Sequence, residues 1–315
     1  MTRSLRIQYP GAFYHVTSRG NERKEVFRSF GDRERFLTYL DSATERYGAV
    51  IHVYCLMNTH YHLFIETPSA NLSKIMQHIN GAYTAYFNRR WERSGHLFQG
   101  RYKAIVVEAD EYAMELSRYV HLNPVRAGIV EKPEEYEWSS FRYYISNGNI
   151  PRWLKRDFIL GYFDREPLAA MNKYRGFVHA LLDKDYKSPL TNLTNSLILG
   201  SNEFVDEIKD RFLTDREPER ELPILTEMAD RPGLEAIEEA VDSVLRNDPR
   251  LSRQVKMFLC HRYSGKKLAE IGTRYGVGES AVTQASRRLR YRQQKDKKLR
   301  ELLLEISGKV TLSNV

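Results

Sequence analysis

The order of hydrophobic patterns between Ala12 and Glu108 constrains the fold of this chain more than any other feature. Stretches with strand-like alternation and stretches with helical spacing follow one another in the order β-α-β-β-α-β. That order is typical of the split βαβ, or ferredoxin-like, arrangement, in which one antiparallel sheet carries both helices on one face. We therefore predict an α+β fold for this segment, with the other face of the sheet open for a site.

Turn residues and prolines set the limits of the predicted elements. Strands are expected at residues 13–18, 50–56, 60–67 and 103–107, and helices at residues 32–47 and 71–90. A third helix is expected to begin near Asp110, a suitable N-cap. It is expected to stop at Asn123, because Pro124 disfavours helical geometry in the residue before it.

Charge divides the rest of the chain. The length of 315 residues suits two or three domains. Residues 201–250 have a net charge of −8, whereas residues 251–300 carry 14 basic and 3 acidic side chains. We predict four segments: an α+β domain (1–150), a helical or irregular connector (151–235), a basic all-α domain (236–300) and a tail (301–315).

The composition excludes several classes of protein. With 42% hydrophobic residues the chain can bury a sizeable core, so disorder as its main state is excluded. No apolar run approaches the ~18 residues of a membrane span, and the N-terminus lacks a secretory signal. Cys55 and Cys260 fit reduced thiols and a cytoplasmic location. The net charge of +8 points mildly toward nucleic acid as a partner.

A pair of histidines is the first candidate for chemistry. His60 and His62 lie two apart on a predicted strand, so their imidazoles project from one face of the sheet. Neutral imidazole is a common metal ligand, and two that point the same way are half of a metal site. The alternative is that both rings are simply packed or hydrogen-bonded in the sheet.

The third helix supplies candidate partners for this pair. Tyr119 and Asn123 are four residues apart and therefore lie on one face of the helix. An amide oxygen is a reasonable third ligand, and a nearby cation would favour the phenolate form of a tyrosine. The alternative is that Tyr119 belongs to a buried stripe with Tyr112, Leu116 and Val120.

Four ordered motifs resemble a known family. They are the residues from Phe13 to Asn21, the His60-Tyr61-His62 pair, the residues from Phe98 to Lys103, and the residues from Arg118 to Gly128. In order and spacing they resemble the single-tyrosine HUH transposases, most closely the REP-associated tyrosine transposases. The resemblance covers roughly residues 5–145.

The resemblance implies an activity and a set of site residues. Enzymes of that family transfer single-stranded DNA through a 5′-phosphotyrosine and use a divalent metal, usually Mg²⁺ or Mn²⁺. Carried over, Tyr119 is the nucleophile, and His60, His62 and Asn123 bind the metal. Asn123 stands where the insertion-sequence branch often has the longer Gln.

The expected substrate is single-stranded DNA with REP-like hairpins, bound by a monomer or a homodimer. Three basic residues near the predicted strand ends are candidates for holding its phosphates: Arg19, Arg101 and Lys103. The alternative for each is a solvated charge at the end of a strand.

The basic segment has the pattern of a helix-turn-helix. A helix with Leu268 and Ile271 precedes a glycine-containing turn and a second helix over residues 279–291. Candidates for contacts with base edges and phosphates of duplex DNA are Ser280, Thr283, Gln284, Arg287 and Arg288. The segment is similar to the DNA-binding domain of the replication initiator DnaA. The alternative is a solvated basic helix at the end of a bundle.

Three functions remain open at the level of sequence. The first is a metal-dependent DNA strand transferase that acts through Tyr119. The second is a catalytically idle DNA-binding regulator derived from such a transposase. The third is a hydrolytic metal-dependent nuclease that activates water. The combination of a histidine pair with Tyr119 and Asn123 favours the first.

Overall fold

The structure, a computed structural model, describes residues 7–182, 184, 188–192, 197–212, 232–246, 248–264 and 266–312. The chain divides into two compact units, residues 1–209 and 210–315. The first unit is α+β, and the described residues of the second contain only helices, which confirms the predicted fold class. None of the described helices is long and apolar enough to cross a membrane.

The division differs from the predicted segments in one respect. Residues 151–209 pack with the first unit, so the predicted connector at 151–235 is shared between the two units. Residues 213–231 of that connector, and residues 313–315 of the predicted tail, lie outside the described residues. Whether residues 1–150 fold alone stays a prediction.

The first unit is built on a five-stranded sheet. Its strands are β1 (Ala12–Arg19), β2 (Val50–Met57), β3 (His60–Thr67), β4 (Lys103–Val107) and β5 (Ile198–Leu199). They lie in the order β2-β3-β1-β4-β5, and only the β4–β5 pair is parallel. The first four strands match the predicted sheet. β5 was not predicted, because two residues carry no periodicity.

Two helices cover the first face of the sheet, as predicted: α1 (Phe30–Tyr47) and α2 (Leu72–Arg90). Ser29 and Asp32 form a capping box at the start of α1, and Gly48 ends the helix at φ +66°. Tyr61 points to this side, and its ring centroid lies 4.8 Å from that of Phe36 in α1. Alternate residues of β3 therefore face the helical layer and the opposite side.

The second face, predicted to be open for a site, is partly covered by helices. The chain continues with α3 (Ala109–Arg126), α4 (Phe141–Tyr144), α5 (Asp157–Leu160), α6 (Pro167–His179) and α7 (Asn202–Phe212). Tyr119 of α3 contacts rings on this face, and Phe158 of α5 stacks on Phe13 of β1 at 5.1 Å. A helical pattern shows that α3 has a buried side, but not which surface that side covers.

α3 also extends beyond its predicted end. The helix passes through Pro124 and ends at Arg126. The carbonyl oxygen of Asn123 accepts from the amide of Ala127 at 3.0 Å, so the helical pattern of hydrogen bonds resumes after the proline. Proline at this position removes one donor and crowds the preceding turn, but it does not prevent helix on both sides. The preference of the residue before proline was outweighed by packing, since Leu122 and Pro124 are buried.

Both edges of the sheet are occupied by neighbouring chain. β5 covers the edge of β4. On the β2 edge, Leu56 donates its amide to the carbonyl of Trp138 at 2.9 Å, and Tyr54 accepts from the amide of Ser140 at 3.0 Å. Lys155 donates its amide to the carbonyl of Ile51 at 2.8 Å. Part of the backbone at each edge is therefore engaged within the unit.

The second unit contains five helices in its described residues: α8 (Leu234–Val244), α9 (Pro249–Tyr263), α10 (Leu268–Tyr275), α11 (Glu279–Lys295) and α12 (Lys297–Leu312). Gly276 ends α10 at φ +63°. A Cβ on Gly272 would lie 2.5 Å from the carbonyl oxygen of Val277, so the turn between α10 and α11 needs glycine there. Both predicted helices of the basic segment are present.

We expect the stability of the first unit to depend on pH through His121. Burial lowers the pKa of this residue to about 3, from 6.5. Between these values the unfolded chain binds a proton that the folded chain does not, so the free energy of unfolding falls as the pH falls. In His121→Gln, the number of protons taken up on unfolding should be smaller by about one. The slope of the free energy of unfolding against pH should therefore fall by about 1.4 kcal/mol per pH unit.

Urea unfolding between about pH 5.5 and pH 4.5 measures this effect. The chain's three tryptophans, Trp91, Trp138 and Trp153, all lie in the first unit, so their fluorescence reports on that unit alone. His96→Gln, which changes an exposed histidine, is the control and should keep the parent slope. Equal slopes for the parent and His121→Gln would contradict the prediction.

Candidate functional site

The register of the sheet brings several predicted residues onto one face. His60 and His62 are opposite Arg19 and Thr17 of β1, and Thr17 is opposite Lys103 of β4. Residues directly opposite each other in antiparallel strands project to the same side. The histidine pair and two of the predicted phosphate-binding side chains therefore share the second face. The His60 and His62 ring centroids are 5.1 Å apart.

A third histidine, His15 of β1, belongs to the same cluster. Its Nε2 lies 3.0 Å from Nδ1 of His62, and the two rings are stacked at 5.2 Å. His15 is 1% exposed and His62 is 6% exposed. Among the described residues, Nδ1 of His15 and Nε2 of His62 are buried without a hydrogen-bond partner. Buried polar atoms of this kind indicate a missing ligand or ion.

The three imidazoles are held in their neutral form. Burial lowers the pKa of His15 to about 4, and burial together with the charge of Arg19 lowers that of His60 to about 4. Burial, followed by the neighbouring His15 and His60 and then by Arg19, lowers the pKa of His62 further still. Neutral imidazole has the lone pair that a metal ligand needs, so the cluster remains competent for metal well below neutral pH.

Tyr119 of α3 lies against this cluster. Its ring centroid is 5.9 Å from that of His62 and 6.1 Å from that of His15, with both contacts edge-on. The guanidinium of Arg126, two turns further along α3, lies 5.5 Å from the ring centroid of Tyr119. The tyrosine is half-buried, so it is reachable from solvent and contacts the histidines of its own chain. Its neighbours are therefore two neutral imidazoles and a cation.

Asn123 is on the same side of α3, one turn beyond Tyr119. Its Nδ2 donates to the carbonyl oxygen of Tyr119 at 2.8 Å, and the side chain is half-buried. This bond uses the amide nitrogen and keeps the amide close to Tyr119. Across the described ranges, no group of three or more His, Cys, Asp or Glu is placed to hold a metal ion. A metal at this site would therefore need an amide ligand beside the histidines.

The remaining predicted residues are distributed over both units. Arg19, Arg101 and Lys103 are exposed in the first unit. In α11, Arg288 is exposed and Ser280 and Gln284 are partly exposed. The side chain of Arg287 lies outside the described residues. Thr283 is buried and donates its hydroxyl to the carbonyl of Ser280 at 2.9 Å, so it is not available to a base edge.

Sequence reasoning missed His15 and Arg126. His15 is two residues from Thr17 and so shares its face of β1, but the pairing of β1 with β3 that brings it to His62 is a long-range contact. Arg126 is seven residues after Tyr119, a spacing that places both on one side of a helix. That signal was present, but the expected helix end at Asn123 concealed it.

Comparisons with known proteins bear on the first unit. Comparison with curated proteins gave no match. A solved structure described as "Structure of the REP associates tyrosine transposase bound to a REP hairpin" is 16% identical to this chain. The match covers 49% of this chain and 92% of that chain, with a TM-score of 0.41.

A family model described as "Transposase IS200 like" matches residues 8–123. This segment contains β1 to β4, α1, α2 and α3 as far as Asn123. The match therefore covers four of the five strands, the two helices on the first face and the residues from His15 to Asn123 of the candidate site.

Proposed function

We propose that the first unit is a metal-dependent DNA strand transferase in which Tyr119 is the nucleophile. The observation that carries the proposal is the contact between Tyr119 and His62, whose Nε2 is buried without a partner among the described residues. The match of residues 8–123 to IS200-like transposases supports the same class of reaction. All of these residues come from one chain, so a monomer contains the complete set.

His60, His62 and Asn123 are the proposed ligands of a divalent ion, Mg²⁺ or Mn²⁺. The donors fit such an ion, because two imidazole nitrogens and an amide oxygen leave positions for phosphate and water. A divalent ion bound there would polarise and orient the scissile phosphate. The hydrogen bond from Asn123 to the carbonyl of Tyr119 uses Nδ2 and leaves the acceptor Oδ1 for this purpose.

We propose that His15 accepts from His62 and so holds His62 in the tautomer that can bind metal. A neutral imidazole carries one N–H. When Nδ1–H of His62 donates to Nε2 of His15, Nε2 of His62 keeps its lone pair and is the buried nitrogen without a partner. Neighbours of this kind fix the tautomer and the ring orientation of ligating histidines. His15 is therefore a positioning residue in the proposed site.

The chemical step exchanges one phosphodiester bond for another. The phenolate oxygen of Tyr119 forms a bond to phosphorus, and the bond from phosphorus to the 3′-oxygen breaks. The leaving oxygen takes a proton and becomes a 3′-hydroxyl, while the 5′-phosphate stays on the tyrosine. Attack by a 3′-hydroxyl reverses the step and frees Tyr119. The guanidinium of Arg126 lies over the tyrosine ring and places a positive charge beside the reacting group.

The proposed substrate is single-stranded DNA beside hairpins. Arg19 and Lys103 project from the sheet face that holds His60 and His62, so they can take phosphates on either side of the scissile one. Arg101 is exposed just before β4. The buried free thiols of Cys55 and Cys260 agree with the proposed cytoplasmic location.

The second unit is proposed to bind duplex DNA through a helix-turn-helix formed by α10 and α11. The tight turn that Gly272 and Gly276 permit brings the start of α11 close to α10. Ser280 and Gln284 near that start are partly exposed and can reach base edges, and Arg288 can reach a phosphate. The similarity to DnaA stays a prediction from sequence.

We expect Tyr119→Phe to abolish a covalent protein–DNA adduct. The parent, mixed with Mn²⁺ and labelled hairpin oligonucleotides from the flanks of its own gene, should give a band that survives denaturation. The phenylalanine ring keeps the packing on His62 but has no oxygen to attack phosphorus. Tyr39→Phe, in α1 on the other side of the sheet, is the matched control and should react like the parent.

An adduct with Tyr119→Phe equal to that of the parent would exclude the proposed nucleophile. DNA binding without an adduct in any metal would instead support the catalytically idle regulator. Release of a 5′-phosphate with no attached protein would support the hydrolytic nuclease.

We expect His15→Phe to weaken Mn²⁺ binding by about 10- to 100-fold, because it removes the group that fixes the tautomer of His62. His15→Gln should lose less affinity for Mn²⁺, since its amide oxygen can still accept from Nδ1–H of His62. Calorimetry or manganese electron paramagnetic resonance measures the affinity without DNA. His78→Phe, in α2, is the control. Equal affinities for His15→Phe and the parent would remove His15 from the site.

We expect Arg288→Ala to weaken binding of duplex DNA and to lower the slope of log affinity against log salt by about one, since one phosphate contact is lost. The measurement is a titration of fluorescent duplex at several salt concentrations. Lys309→Ala, in α12, removes another exposed charge and serves as the control. A slope that stays at the parent value would argue against phosphate contact by Arg288.

A further inference from the structure

Helix α3 is fixed on two sides, and only one of them is the site. It also contacts α6, which lies outside the matched residues 8–123. The hydroxyl of Tyr174 in α6 lies 2.6 Å from Nδ1 of His121 and 3.0 Å from Oγ of Ser117. All three residues are 0% exposed. We propose that α6 is a brace that holds the tyrosine helix in position, with Tyr174 as its main positioning residue.

The hydrogen bonds around Tyr174 form a continuous row between β2 and α3. The amide of Tyr54 in β2 donates to Oγ of Ser140, which lies 2.8 Å from Nε2 of His121. At the other end, the Ser117 hydroxyl donates to the carbonyl of Met114 at 2.7 Å. A backbone N–H can only donate and a carbonyl can only accept.

The hydroxyl of Ser140 also bonds the carbonyl oxygen of Tyr54 at 3.2 Å. His121 connects Ser140 to Tyr174 through its two ring nitrogens, and the hydroxyl of Tyr174 donates to Oγ of Ser117. Every polar atom in this row has a partner, and buried rows of this kind strengthen cooperatively. The chain links β2, α3 and α6 through the single hydroxyl of Tyr174.

A second contact fixes the residue next to the proposed nucleophile. Arg118 donates from Nη1 to the carbonyl oxygen of Phe177 in α6 at 3.2 Å. Its guanidinium also lies 3.9 Å from the centroid of the Phe177 ring. Arg118 and His121 thus connect α3 to α6, while Tyr119 contacts the histidines.

The contact of α6 with α3 sets the depth and tilt of Tyr119. Its role in catalysis rests on the proposed function. A small displacement of α3 would move the phenol away from His62 without removing any group of the site. Positioning errors of this size reduce reaction rates strongly while substrate binding is retained. Residues beyond the matched segment therefore contribute to the proposed reaction through α3.

The test compares Tyr174→Phe with Tyr144→Phe in the full chain. Tyr144 is equally buried in the same aromatic cluster, and its hydroxyl donates to the carbonyl of His52 in β2 instead of to α3. Each variant loses one buried hydroxyl, so the loss of overall stability is matched. Only Tyr174→Phe breaks the row between α3 and α6.

Hydrogen–deuterium exchange of the α3 amides is the first measurement. We expect exchange in α3 to be about tenfold faster in Tyr174→Phe than in Tyr144→Phe, with β1 and β3 alike in both. Equal exchange of α3 in the two variants would overturn the brace.

The second measurement separates positioning from stability. In Tyr174→Phe, the rate of adduct formation at saturating DNA should fall about tenfold or more while DNA affinity is unchanged. Tyr144→Phe should match the parent in both. A fall in DNA affinity with an unchanged rate would also overturn the proposal. If the parent forms no adduct, the proposed function fails, and the exchange experiment still decides whether α6 braces α3.

Discussion

The hydrogen bond between two buried neutral imidazoles, His15 and His62, is the interaction on which the site depends. Each ring is surrounded by protein, and burial disfavours its charged form. Each neutral ring carries one N–H, and only one N–H can lie between the two rings. One nitrogen on each ring is therefore left without a partner in the described structure. Such orphaned atoms cost free energy unless a ligand or an ion takes them up. The proposed ion at His62 would remove that cost for one of them.

Patterns among residues close in sequence were sufficient to predict four strands and the helices α1 and α2 of the first unit. Alternating side chains predicted four strands, and helical spacing predicted α1 and α2 with ends that differ by at most two residues from those observed. The face of β3 that carries His60 and His62 followed directly from the period of a strand. Tyr119 and Asn123 shared a helical face for the same kind of reason. These properties depend on residues close together in the sequence.

What could not be predicted depends on contacts between distant residues. The pairing of β1 with β3 brings His15 to His62, and no pattern within either strand specifies that register. The packing of α3 and α5 on the second face of the sheet is equally non-local. Pro124 shows a local preference outweighed by tertiary packing. Thr283, polar in type but buried beside Val282, shows that residue type alone does not determine exposure.

The occupied edges of the sheet limit how this protein can associate with others. Strand addition needs a row of free backbone groups at an edge, and this is a common route to domain swapping and fibre formation. Here β5 shields one margin, and the amides of Leu56, Ser140 and Lys155 are engaged along the other. A second molecule that added a strand at these positions would first have to displace a neighbouring segment of the same chain.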